Sequence, residues 1–192
     1  MKKVLIFNAN PGIDSFNSNI CRSYLKGVQS SGADAELINL IDLDFDPVLR
    51  GGFSGEQELE KDLKEVQAKI KNAEHLVFVY PTWWGTYPAL LKGFIDRVFT
   101  PGFAFKYRDN SLRWDKLLTG KTAGIITTMD TPKLYYKLYY KSPGTTSLRK
   151  NILEFCGIKT VNTTIFSPVK KSTKNQREAW LKTAEKLGKQ IK

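Results

Sequence analysis

Two adjacent tryptophans stand between two prolines in the stretch YPTWWGTYP, residues 80–88. A residue that precedes proline is held in an extended conformation, so Tyr80 and Tyr87 exclude a helix and the residues between them form a loop. Neighbouring loop residues rarely both face inward, which disfavours a core role for Trp83 and Trp84. They predict a stacking platform for a planar ring, with burial in the core as the alternative.

A polar stretch near the start of the chain, NANPGIDSFNSNI (8–20), could bind an anion. It leads into a helical pattern, and the N–H groups of a helix N-terminus, with the short polar side chains of Ser15 and Asn17, suit a phosphate. The alternative is that Ser15 and Asn17 only cap the helix, while Pro11 and Gly12 make a turn. The loop matches neither the P-loop nor the GxGxxG pattern, which argues against an NTPase and a simple dinucleotide-binding fold.

A third stretch, TTMDTPKLYYKLYYK (127–141), follows another apolar run. The hydroxyls of Thr127 and Thr128 could hydrogen-bond the rim of the same ring. Beyond them, four tyrosines alternate with lysines at i,i+4 spacing: Tyr135, Tyr136, Tyr139 and Tyr140 with Lys133, Lys137 and Lys141. We interpret most of this segment as an amphipathic helix with a basic solvated face and aromatic packing beneath it, although one tyrosine near the ring could serve the chemistry.

Strands must place these three loops together. Apolar runs separated by helical patterns predict strands over residues 3–8, 35–40, 75–80, 122–128 and 159–166. The alternation predicts an α/β fold with a doubly wound five-stranded parallel sheet between two layers of helices, in a single domain over residues 1–192. Such sheets bind ligands at the carboxyl ends of their strands, where the three loops fall. Ser54 and Gln57 predict a capping box at the start of the second helix.

Composition narrows the class of protein. The net charge of +11 implies attraction to anions, but the basic residues are spread out and show no zinc-finger or RNP signature, so we expect no nucleic-acid partner. The chain has no apolar run of roughly 18 residues and its start resembles a strand rather than a signal peptide, which predicts a cytoplasmic protein. Cys21 and Cys156 suggest neither a disulfide framework nor a metal site, and His75 has the pattern of a structural residue.

A phosphate cradle, an aromatic shelf and a polar rim at three neighbouring strand ends describe a pocket for flavin mononucleotide. Over nearly its whole length, the sequence resembles the flavodoxin-like NAD(P)H:quinone oxidoreductase family, most specifically in YPTWWGTYPALLKGFIDRVFTPGFAF, with its Pro-x-x-Trp loop and Asp-Arg-Val-Phe continuation. The resemblance implies phosphate contacts from Ser15, Phe16 and Asn17. It also implies that two loops bind the isoalloxazine ring, through Pro81, Thr82, Trp83, Trp84 and Gly85 and through Thr127 and Thr128.

The sequence departs from the family pattern at three places. Asn10 stands where many members have histidine in the first loop, and we expect it to contact the cofactor by hydrogen bonding. Met129 and Asp130 replace a glycine pair, so their side chains would narrow the pocket or replace backbone contacts. Tyr135 matches a family tyrosine that assists hydride transfer, and Lys141 stands at the position of the family histidine. We therefore expect Tyr135 and Lys141 to be catalytic and to stabilise a developing quinol oxyanion.

The resemblance implies a two-electron reductase with a ping-pong mechanism. NAD(P)H would give a hydride to flavin N5, and a quinone or similar electrophile would then take it. FMN is the expected cofactor, with FAD as the alternative, and no metal is expected. A homodimer is implied, in which the partner completes each site and the KLYYKLYY segment could help form the interface. Two alternatives stay open: a regulatory flavoprotein subunit of a membrane transporter, whose basic face would meet acidic partners or lipid, and a one-electron flavodoxin-type carrier.

Overall fold

The computed structural model describes residues 1–12, 14–55 and 57–191, except for the side chain of Ser54. These residues include a five-stranded parallel sheet with the strand order β2-β1-β3-β6-β7. Its strands are β1 (Lys3–Asn8), β2 (Asp34–Asn39), β3 (His75–Pro81), β6 (Thr122–Thr128) and β7 (Lys159–Phe166). The predicted doubly wound parallel sheet is confirmed, and each strand lies within one residue of its predicted bounds.

Helices cover both faces of the sheet. They are α1 (Phe16–Ser30), α2 (Lys61–Asn72), α3 (Ala89–Val98), α4 (Lys133–Leu138), α5 (Pro143–Thr146), α6 (Glu154–Cys156) and α7 (Lys174–Lys189). A π-helical segment, Ser147–Leu153, joins α5 to α6. Helices α1 and α7 pack closely, because Gly27 and Gly188 leave no side chain between them: a Cβ at Gly27 would lie 2.0 Å from the carbonyl oxygen of Glu185.

The core divides into two clusters because successive side chains of a strand point to opposite faces. In β1, Val4 and Ile6 pack in the cluster beneath α1 and α7. Leu5 and Phe7 pack in the other cluster, together with residues of α2 and α3. Since both faces of the sheet are buried, its inner strands carry the continuous apolar runs seen in the sequence.

The predicted capping box at Ser54 and Gln57 is wrong, because α2 begins at Lys61, after Glu60. The Ser54 side chain lies outside the described part of the structure. The Gln57 side chain instead accepts a hydrogen bond from the backbone N–H of Arg50 (2.9 Å) and donates one to the carbonyl of Val48 (3.2 Å).

Two further features were not predicted. A short antiparallel hairpin, β4 (Phe105–Tyr107) with β5 (Trp114–Lys116), stands apart from the main sheet. In the tyrosine-rich segment, aromatic packing beneath the helix is limited to Tyr136; the other three tyrosines are exposed. In the described residues, no helix combines the length and the apolar character needed to cross a membrane.

Candidate functional site

The loops that follow β3 and β6 begin side by side. Pro81 lies opposite Thr128 in the strand register, and the backbone N–H of Thr82 donates a hydrogen bond to the Thr128 carbonyl (2.7 Å). The hydroxyls of Thr82 and Thr127 are also within hydrogen-bond distance, at 2.7 Å. The two loops predicted to bind one ring are therefore directly bonded to each other.

The start of α1 lies against the same strand end. Ser15 caps the helix, since its hydroxyl accepts a hydrogen bond from the backbone N–H of Ser18 (3.1 Å). Asn17 has a different role: its side-chain oxygen accepts a hydrogen bond from the Thr128 hydroxyl (2.8 Å). Its side-chain Nδ2 is buried without a partner in the described part of the protein. A buried donor of this kind requires an acceptor, and a phosphate oxygen at a helix N-terminus is a suitable one.

Asn10 and Phe16 have local roles in the first loop. The Asn10 side-chain oxygen accepts a hydrogen bond from the backbone N–H of Gly12 (2.8 Å), which closes the turn after β1. The ring centroids of Phe16 and Trp180 are 6.0 Å apart, and the Arg177 guanidinium lies 5.8 Å from the centroid of the Phe16 ring. Phe16 is thus directed toward α7, where it borders a cavity of 480 Å³.

The tryptophan pair forms a tight, strained turn. The backbones of Trp83 and Thr86 exchange two hydrogen bonds of 2.9 Å, and the two residues between them have positive φ angles, 50° at Trp84 and 76° at Gly85. Two consecutive positive φ angles match a type I′ turn, which a bulky residue such as Trp84 rarely adopts. In this turn Trp83 is 49% exposed to solvent and Trp84 is 102% exposed. The alternative that these are core side chains is therefore wrong.

A cleft of 410 Å³ opens between the tryptophan turn and the loop after β6. It is lined by Thr82, Trp84, Gly85, Met129, Asp130, Thr131, Tyr136, Tyr140 and Pro143. The first five are predicted cofactor-binding residues, which the fold brings together from two loops. The lining does not include Pro81, Trp83, Thr127 or Thr128, which lie in the same two segments.

Met129 and Asp130 shape one side of this cleft. Met129 is buried in a small cluster with Tyr136 and Ile165. The Asp130 carboxylate faces outward and accepts a hydrogen bond from the backbone N–H of Lys170 (2.6 Å). Side chains thus occupy both positions of the expected glycine pair, as the sequence indicated.

Tyr136 is the functional candidate that sequence reasoning missed. Its hydroxyl donates a hydrogen bond to the Gly85 carbonyl (3.0 Å) and accepts one from the backbone N–H of Gly144 (3.1 Å). A Cβ at Gly144 would lie 2.7 Å from the Cα of Thr86, so the two segments are in backbone contact. Neighbouring tyrosines give the sequence no sign of which one faces inward.

The two predicted catalytic residues, Tyr135 and Lys141, do not line the cleft. The Tyr135 ring stacks on that of Tyr139, with centroids 4.8 Å apart, on the exposed side of α4. Lys141 is exposed and, like the adjacent Ser142, has a positive φ angle (59° and 54°). Their catalytic roles stay predictions.

The fold and the cleft define a flavodoxin-like protein with a ligand site at the carboxyl edge of its sheet. The family model described as "Flavodoxin-like fold" matches residues 2–191, and the chain belongs to this family. Mouse ribosyldihydronicotinamide dehydrogenase [quinone] is 28% identical over 211 residues, which cover 94% of this chain and 87% of that protein. The predicted resemblance to the quinone oxidoreductases is confirmed, and the chain is an oxidoreductase.

Solved structures share this fold. The structure of Smu.1420 from Streptococcus mutans UA159 is similar with a TM-score of 0.84 and 30% identity, covering 98% of this chain and all of the other. An FMN-dependent NADH-azoreductase from Bacillus anthracis, in complex with FMN, has a TM-score of 0.72 at 21% identity, covering 100% of this chain and 99% of the other. The second likeness establishes a shared fold.

Proposed function

We propose that the protein is a flavin-dependent NAD(P)H oxidoreductase that transfers two electrons, as a hydride, to a quinone or a similar electrophile. The observation that carries the proposal is the meeting of three segments: the Thr82–Gly85 turn, the Met129–Asp130 loop and the N-terminus of α1, where the Asn17 Nδ2 has no partner among the described residues. The quinone-reducing relative supports the acceptor class.

The residues present fit FMN. Ser15, Asn17 and the first turn of α1 would hold its phosphate, while the exposed tryptophan turn and the Thr82–Thr127 pair would hold its ring. When bound, the flavin supplies hydride transfer from NAD(P)H to the acceptor. FAD remains the alternative cofactor, and the mass of the cofactor released on denaturation distinguishes the two.

The chain's own side chains position the reactants and hold protons. Buried Met129 would keep water from one side of the cleft, and Thr82, whose hydroxyl is paired with that of Thr127, lines it. Tyr140 lines the cleft, which makes it better placed than Tyr135 to donate a hydrogen bond to an acceptor oxygen. Lys141 follows it directly in the chain and would add positive charge beside a developing oxyanion.

The proposal includes a homodimer in which a second copy completes each site. An apolar groove of 380 Å³, bordered by Phe53, Phe105, Tyr107 and Phe155, offers a contact surface for it. Phe53 and Tyr107 are more than half exposed, so burying them against a second copy would be favourable. The proposal places the protein in the cytoplasm, where its two free cysteines would stay reduced.

An absorbance spectrum, followed by anaerobic titration with NADPH and then with a simple benzoquinone, tests the function. We expect flavin bands that bleach with NADPH and return with the quinone. Trp84→Ala should weaken flavin binding, whereas Leu112→Ala, which removes an equally exposed side chain from the hairpin, should not. Bands that nicotinamide does not bleach would contradict the reductase and favour the regulatory or carrier function. Failure to bind FMN or FAD would exclude all three.

A further inference from the structure

Helix α4 exposes an unusual surface. The side most distant from the core carries Leu134 and Leu138, which are 68% and 62% exposed. Tyr139, 67% exposed, adjoins them, and the exposed side chains of Lys133 and Lys137 flank them. We name these five residues the outer face of α4.

The rotation of the helix explains this arrangement. Successive residues turn by about 100°, so Leu134 and Leu138, two positions before and after buried Tyr136, both lie about 160° away from it. The leucines therefore project directly into solvent. By the same rotation, Lys133 and Lys137 lie on one flank, and Tyr135 and Tyr139 on the other. This distribution is the reverse of a helix that packs its leucines on the protein core.

The cationic flank has no salt-bridge partner in the described part of the chain. Neither Lys133 nor Lys137 forms a salt bridge among the residues that the structure describes, whereas lysines elsewhere do, as Lys92 does with Asp96 (2.7 Å). Exposed leucines and an interfacial tyrosine beside unpaired lysines are the combination that binds acidic lipid: apolar side chains enter the headgroup boundary and lysines meet the phosphates.

We infer that the outer face of α4 docks the protein on an anionic lipid surface. A second copy fits less well, because a two-fold contact that pairs this face with itself in the antiparallel sense would place Lys133 and Lys137 close to their own counterparts. Like charges in that position oppose association, while an anionic membrane attracts the whole chain through its net charge of +11.

The docking inference goes beyond the proposed function and does not depend on it. The consequence of docking for the reaction does rest on the proposed function. Tyr140 borders the cleft, and the centroid of its ring lies 5.3 Å from that of Tyr139. Docking would therefore place the mouth of the cleft near the lipid surface, where apolar acceptors such as lipid-dissolved quinones partition. A membrane-soluble acceptor would then reach the site without crossing bulk water.

Co-sedimentation with vesicles tests the inference. We expect the protein to bind vesicles of phosphatidylcholine mixed with phosphatidylglycerol, to bind phosphatidylcholine alone at least tenfold more weakly, and to be released by salt. The variants Lys133→Gln/Lys137→Gln and Leu134→Ser/Leu138→Ser should each weaken binding by roughly tenfold or more, given about fivefold per lysine at an anionic surface. Both should retain flavin reduction by NADPH in solution, so failure of docking and failure of the proposed function are distinguishable.

Two control variants match these changes. Lys182→Gln/Lys186→Gln makes the same charge change at the same spacing on α7, and Leu112→Ser removes another exposed leucine. Equal loss of binding in the lysine control would overturn the inference, because net charge alone would then explain attraction. Absence of binding to anionic vesicles would also overturn it. So would a dimer in sedimentation velocity that Leu134→Ser/Leu138→Ser converts to monomer without any vesicle binding, since the occupant would then be a second copy.

Discussion

The hydroxyl of Tyr136 donates a hydrogen bond to the carbonyl of Gly85 (3.0 Å), and this bond joins α4 to the tryptophan turn. The same hydroxyl accepts the N–H of Gly144. The hydroxyl proton is therefore held in the hydrogen bond to the Gly85 carbonyl. In this protein a tyrosine in the cleft wall thus holds two loops together, and the role of proton donor is left to its neighbours.

Replacing Tyr136 with phenylalanine should loosen the cleft. Without the hydroxyl, the Gly85 carbonyl and the Gly144 N–H keep only the hydrogen bond between them (3.2 Å). We expect the free energy of unfolding to fall by about 1 kcal/mol. Flavin affinity should fall severalfold because the turn is less well positioned. Urea denaturation and fluorescence titration with FMN measure the two effects. The matched control is Tyr135→Phe, which alters an exposed hydroxyl; an equal loss there would contradict the positioning role.

Asn17→Ala should weaken the binding of the flavin phosphate. A hydrogen bond to a charged group contributes about 1.5–3 kcal/mol, so FMN affinity should fall about tenfold to a hundredfold. Riboflavin, which lacks the phosphate, should bind wild type and variant equally well. Asn19→Ala, which removes an exposed amide from the same helix, serves as the control. If riboflavin and FMN lose affinity together, Asn17 does not contact the phosphate.

Arg97→Met should strongly destabilise the protein. The buried guanidinium donates hydrogen bonds to the carbonyls of Asp46 (2.6 Å) and Glu58 (3.0 Å) and to both carboxylate oxygens of Glu60 (3.0 and 2.8 Å). Loss of one partner from such a network leaves the others unpaired, which costs about 3 kcal/mol or more. Chemical denaturation measures the change.

The control for Arg97 is an exposed ion pair. Arg108 bonds Asp115 at 2.6 Å on the hairpin surface. We expect Arg108→Met to change the free energy of unfolding by less than about 1 kcal/mol, because solvent screens such pairs. Similar losses in the two variants would show that Arg97 does not organise the segment before α2.

His75 should make stability depend on pH. Its ring is buried between the hydroxyls of Thr122 (2.7 Å) and Tyr24 (3.3 Å), and burial, helped by the charge of Lys2, lowers its pKa from 6.5 to about 4. In the unfolded chain the imidazole takes up a proton as the pH falls below 6.5. In the folded chain the same imidazole takes up a proton only near pH 4. Stability from this residue is therefore complete above pH 6.5 and lost as the pH falls to 4, by roughly 3 kcal/mol in all.

The substitution His75→Asn removes the titrating group. The difference in unfolding free energy between wild type and variant should shrink by most of that amount between pH 7 and pH 4, as followed by denaturation at each pH. A difference that stays constant over this interval would mean that His75 titrates normally in the folded protein.

The parts of the fold that the sequence predicted correctly are those with a strong local pattern. Apolar runs buried on both faces gave the strands β1, β3 and β6 within a residue, and the proline-bounded tryptophans gave an exposed loop. The start of α2 was misplaced because Arg97, distant in sequence, holds Glu58 and Glu60 through its guanidinium. A contact with a residue so distant in the chain leaves no pattern in the sequence around Glu58 and Glu60.

The sequence by itself determined the layered α/β architecture and the set of loops that meet at one sheet edge, since the hydrophobic period and the alternation of strands and helices along the chain are local features. Only the tertiary structure decided which side chains face the cleft. Tyr135 and Tyr136 are chemically identical neighbours, yet a rotation of about 100° along α4 buries one and exposes the other. The inward orientation of Tyr136 is held by the hydrogen bonds of its hydroxyl to Gly85 and Gly144, which belong to other segments of the chain.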